Sequence, residues 1–225
     1  MLPPLTDLLA LLGISLALSA GCLRLLSWRR GSPGATRWAK WVTAVFFVTL
    51  WCPAGSAHLP LVAFVRGISS DLSITLVALA CLGMCHRLFG RLDSPAPAPD
   101  ARERNVLQGA VALAAVVLYP LALGWGDWDA YRAGWASGPA APGLWFALLV
   151  LSLGCWVKGL RLLPLLVGLA LLAWCWGLLE STNLWDYLMD PWLAVASLFQ
   201  CIRQGVMPLR ARFGKVPFRA AHLLP

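Results

Sequence analysis

Apolar residues along this chain gather in seven long runs, at 5–24, 38–54, 71–88, 105–124, 142–158, 161–180 and 188–207, with polar breaks between them. A helix needs about 20 mostly apolar residues, at ~1.5 Å rise each, to cross the hydrocarbon of a bilayer. The runs predict seven such helices, of which the second and fifth are short. The stretch ESTNLWDYLMDPW, residues 180–192, stands out as a polar knot between two of the most apolar runs.

Composition turns this pattern into a statement about solvent. The chain is 60% hydrophobic and only 12% charged, with a mean hydropathy of +0.73. A soluble domain carries roughly 25% charged residues, so half that supply implies that lipid solvates most of the surface. Thirteen Trp and three Tyr fit, because amphipathic rings favour the headgroup zone. The expected fold is an all-α polytopic membrane bundle of seven transmembrane helices in one domain, with a basic tail over 208–225.

Lys and Arg predict the orientation. With the N-terminus outside, the inner side holds Arg24, Arg29, Arg30, Arg37, Lys40, Arg87, Arg91, Arg102, Arg104, Lys158, Arg161, Arg203, Arg210, Arg212, Lys215 and Arg219. That is 16 of the 18 basic residues, leaving Arg66 and Arg132 outside. A six-helix arrangement would put the tail charges outside. ALSAGC, ending at Cys22, resembles a lipoprotein cleavage site. The region before the apolar run has no Lys or Arg and the region after it, LRLLSWRR, is basic. Both features oppose export, so 5–24 is read as the first membrane helix. Small size and the lack of an extramembrane domain suggest a bacterial inner membrane.

The net charge of +8 is absorbed by this topology. No basic run is interleaved with aromatics as a nucleic-acid groove requires, so no nucleic-acid partner is expected. The partners expected are the lipid bilayer and other membrane subunits. The loops include a Pro-rich inner linker at 94–104, an apolar outer segment at 55–70 that would lie on or re-enter the membrane, and a Trp- and Gly-rich outer cap at 125–142.

Candidate chemistry is sparse. His58, His86 and His222 sit in an outer loop, at an inner helix end and in the tail, so they cannot pair as haem ligands. Cys81 and Cys85 share a helix face beside His86, but a closed metal site needs four ligands. Seven Cys without a CxxC give no disulfide framework. There is no GxSxG, HExxH or P-loop. No cofactor, metal or catalytic residue is predicted.

What remains is the outer face, where Arg66, Asp71, Asp127, Asp129, Glu180, Asn183, Asp186 and Asp190 form the candidate functional cluster. Helix capping is the competing explanation for several of them. Asp7, Asp71 and Asp190 each precede an apolar run, Pro191 follows Asp190 at the first helical position, and Asn183 with Asp186 forms a capping-box variant. Were 183–203 one helix, Asn183, Asp186 and Asp190 would share a face, with Pro191 kinking it. Trp185, Tyr187 and Trp192 are expected to anchor at the interface.

Three functions are compatible with these features. The first is a non-catalytic accessory or scaffolding subunit of an inner-membrane assembly, in envelope lipid or glycan synthesis or modification. The second is an intramembrane enzyme acting on a lipid head group at the outer surface, with Glu180, Asp186 and Asp190 as acid/base or metal-binding groups and Arg66 contacting the substrate. The third is an oligomeric transporter of a neutral or lipidic solute.

Overall fold

The computed structural model describes residues 4–28, 37–89 and 100–213. Residues 94–99 of the predicted linker and 214–225 of the basic tail lie outside the described residues, with Arg29, Arg30, Arg91, Lys215, Arg219 and His222. Among the described residues the fold is all-α. It comprises α1 (Leu5–Trp28), α2 (Arg37–Leu50), α3 (Leu61–Ser69), α4 (Ile74–Phe89), α5 (Ala101–Ala122), α6 (Ala141–Val157), α7 (Leu162–Cys175), α8 (Leu184–Leu188) and α9 (Pro191–Phe213). A 3-10 turn at Ala130–Gly134 and a two-residue hairpin, β1 (Pro53–Ala54) with β2 (Leu59–Pro60), complete it.

The seven longer helices alternate in direction between two polar ends. Asp7, in the first turn of α1, meets Arg66, which meets Asp71 just before α4. At their far ends Ser27 of α1 meets Arg87 of α4, so these two helices run parallel. Lys40 near the start of α2 reaches the Leu88 carbonyl at the end of α4, so α2 runs back. Ser73 before α4 bonds Asp190 before α9, and Gln204 of α9 meets Asn105 and Gln108 near the start of α5. Glu103 of α5 accepts from the backbone N–H groups of Arg161 and Leu162, which start α7. Hence α1, α4, α6 and α9 leave an acidic end, and α2, α5 and α7 return to it.

Among the described residues, two helices, Leu5–Ser27 and Ala101–Ala122, are long and apolar enough to cross a membrane. Helices α4, α6 and α7 are apolar but hold 16, 17 and 14 residues. Local chemistry shortens several of the predicted runs. The run at 38–54 stops at Leu50, and the hairpin pairs Pro53 with Pro60. The run at 161–180 stops at Cys175, because Gly177 takes a left-handed turn (φ 61°) and Leu178 N–H returns to the Ala173 carbonyl at 3.1 Å. The run at 71–88 begins only at Ile74. Segment 55–70 folds as the hairpin tip and α3, whose Val62 is fully buried.

The core lies along three seams. Leu107, Val111 and Leu118 of α5 meet Leu163 and Leu166 of α7 and Leu193 of α9. Ala170 and Ala173 of α7 meet Leu184 and Tyr187 of α8. Leu11 and Ile14 of α1 meet Leu50, Val62 and Leu72. The outward faces are apolar too. Val45 and Val48 on α2, Phe146, Leu149 and Leu153 on α6, and Val195, Phe199 and Ile202 on α9 are all exposed, in each case at helical spacing.

Candidate functional site: two polar networks at the acidic end

Arg66 is delivered by the last turn of α3, an amphipathic helix whose apolar side faces α1. Ser70, at φ 60°, turns the chain sharply there and brings Asp71 back onto Arg66. Nε lies 2.7 Å from Asp71 Oδ1, Nη1 2.7 Å from Asp7 Oδ1 and Nη2 2.8 Å from Glu180 Oε1. Hydrogen bonding to Asp71 leads the forces that hold the guanidinium cationic, raising its pKa beyond the ordinary arginine value. Three carboxylates around one guanidinium leave two negative charges in excess. Glu180 is the loosest member, with 64% of its side chain exposed against 17% for Asp71. An open cavity of about 680 Å³ adjoins the cluster, walled by Leu8, Leu11, Trp51 and Leu59.

The second network closes the polar knot onto the segment between α5 and α6. Asn183 caps α8, its side-chain oxygen accepting from Trp185 N–H at 2.9 Å. Its amide donates to the Tyr131 carbonyl at 3.0 Å. Asp186 accepts from the Tyr131 hydroxyl at 2.8 Å and from the Ser181 hydroxyl. Ser181, not Asp186, accepts from the Asn183 backbone N–H, so the capping box between Asn183 and Asp186 does not form. Tyr187 is fully buried, its hydroxyl accepting from Leu179 N–H at 3.1 Å and reaching the Ser181 carbonyl at 3.0 Å. Trp185 is partly buried and donates to the Ala130 carbonyl at 3.1 Å. Tyr187 is therefore a core residue and not an interfacial anchor, because its ring is wholly enclosed. Trp192 remains exposed.

Burial, and then the bond to Asp186, push the Tyr131 phenol above its ordinary value. The raised folded pKa fixes the sign: the stability this phenol contributes is complete below about pH 10 and is lost as pH rises through the folded value. Tyr131→Phe is expected to cost about 1.5 kcal/mol at neutral pH, the value of a hydrogen bond to a charged acceptor. It should also flatten the alkaline fall of the melting temperature above pH 10. Thermal melts across pH in mild detergent check both.

Asp190 joins two helices. Oδ1 accepts from Leu193 N–H at 2.8 Å, capping α9, and Oδ2 accepts from the Ser73 N–H and hydroxyl at 2.9 and 2.7 Å. Ser73 in turn accepts from Leu76 N–H at 3.2 Å, so Ser73 caps α4 and the role expected of Asp71 falls to it. Asp7 likewise lies inside the first turn of α1 and does not cap it. Met189 is extended and breaks the chain between α8 and α9, so Asp190 leaves the face it would have shared with Asn183 and Asp186. Asp190→Ala would strand Ser73 and Leu193 donors in a buried site, at an expected cost of about 2–4 kcal/mol. Asp190→Asn should retain part of this, and the melting temperatures of the two variants measure the difference.

Thus Arg66, Asp71 and Glu180 come together with Asp7, and Asn183 and Asp186 join Tyr131. Asp190 goes to Ser73. Asp129 accepts from Tyr131 N–H at 3.0 Å and stands 3.6 Å from exposed Arg132. Asp127 is exposed, with no partner among the described residues. Ser73 and Ser181 are members that sequence patterning missed. Ser73 had a legible signal, a hydroxyl residue immediately before an apolar run, whereas Ser181 had none. No group of three or more His, Cys, Asp or Glu that could hold a metal ion occurs among the described residues. The chain matches no protein-family model, no curated protein and no solved structure.

Proposed function

We propose that this chain is an integral membrane protein that crosses the bilayer seven times, acidic end outside, and serves as a non-catalytic accessory or scaffolding subunit. The assembly it serves is an inner-membrane one, concerned with envelope lipid or glycan synthesis or modification. Support for membrane embedding is the run of exposed apolar side chains on the outward faces of α2, α6 and α9, which water would not tolerate over so large an area. The alternating helix directions agree with seven crossings. The shorter helices would require local thinning of the bilayer or flanking side chains that reach to the interface.

The observation that carries the non-catalytic reading is the engagement of the acidic end with itself. Asp7, Asp71 and Glu180 bind Arg66, Asp186 binds Tyr131 and Ser181, and Asp190 binds Ser73. A general acid or base must reach a substrate proton, and these groups are committed to holding loops to helices. Gentle solubilisation from the native membrane followed by native mass spectrometry tests the reading. A complex with other subunits is expected; a lone, monodisperse species would sink it.

One observation favours a second reading, an enzyme acting on a lipid head group. Glu180 is mostly exposed and borders the 680 Å³ cavity. Glu180→Ala and Asp186→Ala, made separately, discriminate. Loss of a lipid modification at unchanged protein level in either variant would favour the enzyme over the subunit.

A further inference from the structure

The end of the bundle opposite the carboxylates carries cations of a different kind. Arg24 lies one turn before the end of α1, Arg37 and Lys40 fall in the first turn of α2, and Arg87 falls in the last turn of α4. These three helices contain a single acid, Asp7, at the far end of α1. Among the described residues none of the four cations has a carboxylate partner. Neutral acceptors hold two of them instead. Lys40 Nζ donates to the Leu88 carbonyl at 2.6 Å, and Arg87 Nη1 donates to the Ser27 hydroxyl at 3.3 Å. Ser27 in turn donates to the carbonyls of Leu23 and Arg24, so the Arg87 head group is pinned against the turn that carries Arg24.

Arg87 is thus partly buried while the like charge of Arg24 acts on it. Arg66, at the other end, has three carboxylates. Orientation in a membrane asks only that Lys and Arg lie near one end. It does not ask that they be fixed beside one another at a helix junction, where repulsion and desolvation both oppose them. An anion from outside the chain would relieve both. Alongside, α2 presents Arg37, Trp41, Val45 and Val48 at i, i+4, i+8 and i+11. The last three are 68%, 63% and 65% exposed, an apolar stripe headed by a cation.

We propose that Arg24, Arg37, Lys40 and Arg87 form a binding site for the phosphate of an anionic phospholipid, with an acyl chain along Trp41, Val45 and Val48. Guanidinium forks match phosphate oxygens in pairs, and basic pockets between helices at a membrane surface are a known way to hold anionic head groups. The proposal rests on the membrane reading above.

The full chain, reconstituted into nanodiscs of equimolar phosphatidylglycerol and phosphatidylcholine and released for native mass spectrometry, provides the test. Phosphatidylglycerol should be retained in preference. Each arginine near the surface contributes about fivefold, so Arg24→Gln with Arg87→Gln should cut the preference by roughly thirtyfold. Arg37→Gln, at an exposed position with no partner among the described residues, should cut it about fivefold without touching the fold. Arg24→Lys with Arg87→Lys should recover part of the loss. Arg203→Gln, which removes one charge from α9, should leave it unchanged. Equal retention of both lipids by the unmodified protein overturns the proposal, as does an Arg203→Gln effect equal to that of Arg37→Gln. Inorganic phosphate alone separates the sources: if it stabilises the detergent-solubilised protein as much as the lipid does, the ligand is a free anion. Failure to enter nanodiscs at all would remove the membrane reading, and this site with it.

Discussion

Replacing Arg66 by methionine should lower the unfolding free energy by about 3 kcal/mol, near the low end for breaking a buried ion pair. The low end applies because the cluster is only partly buried: Asp7 keeps 27% of its side chain exposed and Glu180 64%. Without the guanidinium, Asp7, Asp71 and Glu180 would face one another uncompensated, and α3 would lose its tie to α1. Arg66→Lys keeps the charge but loses the fork that serves three carboxylates at once, so it should fall between. Glu180→Gln should move stability by less than about 1 kcal/mol, as exposed ion pairs do. Adding Asp71→Asn to Arg66→Met should recover part of the loss. Thermal melts in mild detergent, followed by circular dichroism, rank these variants. An Arg66→Met melt equal to that of the unmodified protein would reduce the cluster to a surface contact.

Among the described glycines, Gly134→Ala should be the most damaging methyl addition. Gly134 lies where the 3-10 turn presses against the start of α8. A Cβ there would overlap the Asn183 side-chain oxygen and stand 2.7 Å from Asn183 Cγ and 2.8 Å from Trp185 Cδ1. Asn183 is 1% exposed and binds both Trp185 N–H and the Tyr131 carbonyl, so it cannot yield without losing partners. Overpacking and two disrupted hydrogen bonds together suggest about 3–4 kcal/mol. Gly168→Ala, in α7 with nothing within 4 Å of the added carbon, is the control. It should be neutral or stabilising, by up to about 1 kcal/mol. Equal melting temperatures for the two alanine variants would show that Asn183 does not clamp the turn.

These expectations separate what was legible in the chain from what was not. Asp190 before Pro191 and Asn183 before LeuTrpAsp were readable as caps, because capping is decided within four residues. Asp71 and Asp7 satisfied the same local rule and still went elsewhere. Arg66 outcompeted the helix termini for them, and Ser73, two residues nearer to α4, took the cap. Asp186 could not be placed from sequence, since its phenol partner is 55 residues away on another loop. Tyr187 looked like an interfacial ring and became a buried core residue, because its ring packs in one cluster with Ala133, Leu144 and Ala170 while Leu179 and Ser181 hold its hydroxyl.

By itself the sequence determined the all-helical class, the approximate positions of the helices and the clustering of acids and bases at opposite ends. Those properties follow from apolar run length, local capping and charge counts, each readable over short stretches. The tertiary structure alone decided which acid meets which base, where α8 breaks from α9, and that Arg66 serves three carboxylates while Arg87, among the described residues, serves none. Those outcomes depend on distances between segments up to 117 residues apart, as with Ser73 and Asp190, and no local pattern encodes them. The polar knot at 180–192 was visible as a knot from the start; only packing against Tyr131, Ser73 and Arg66 gave Asn183, Asp186, Asp190 and Glu180 their partners.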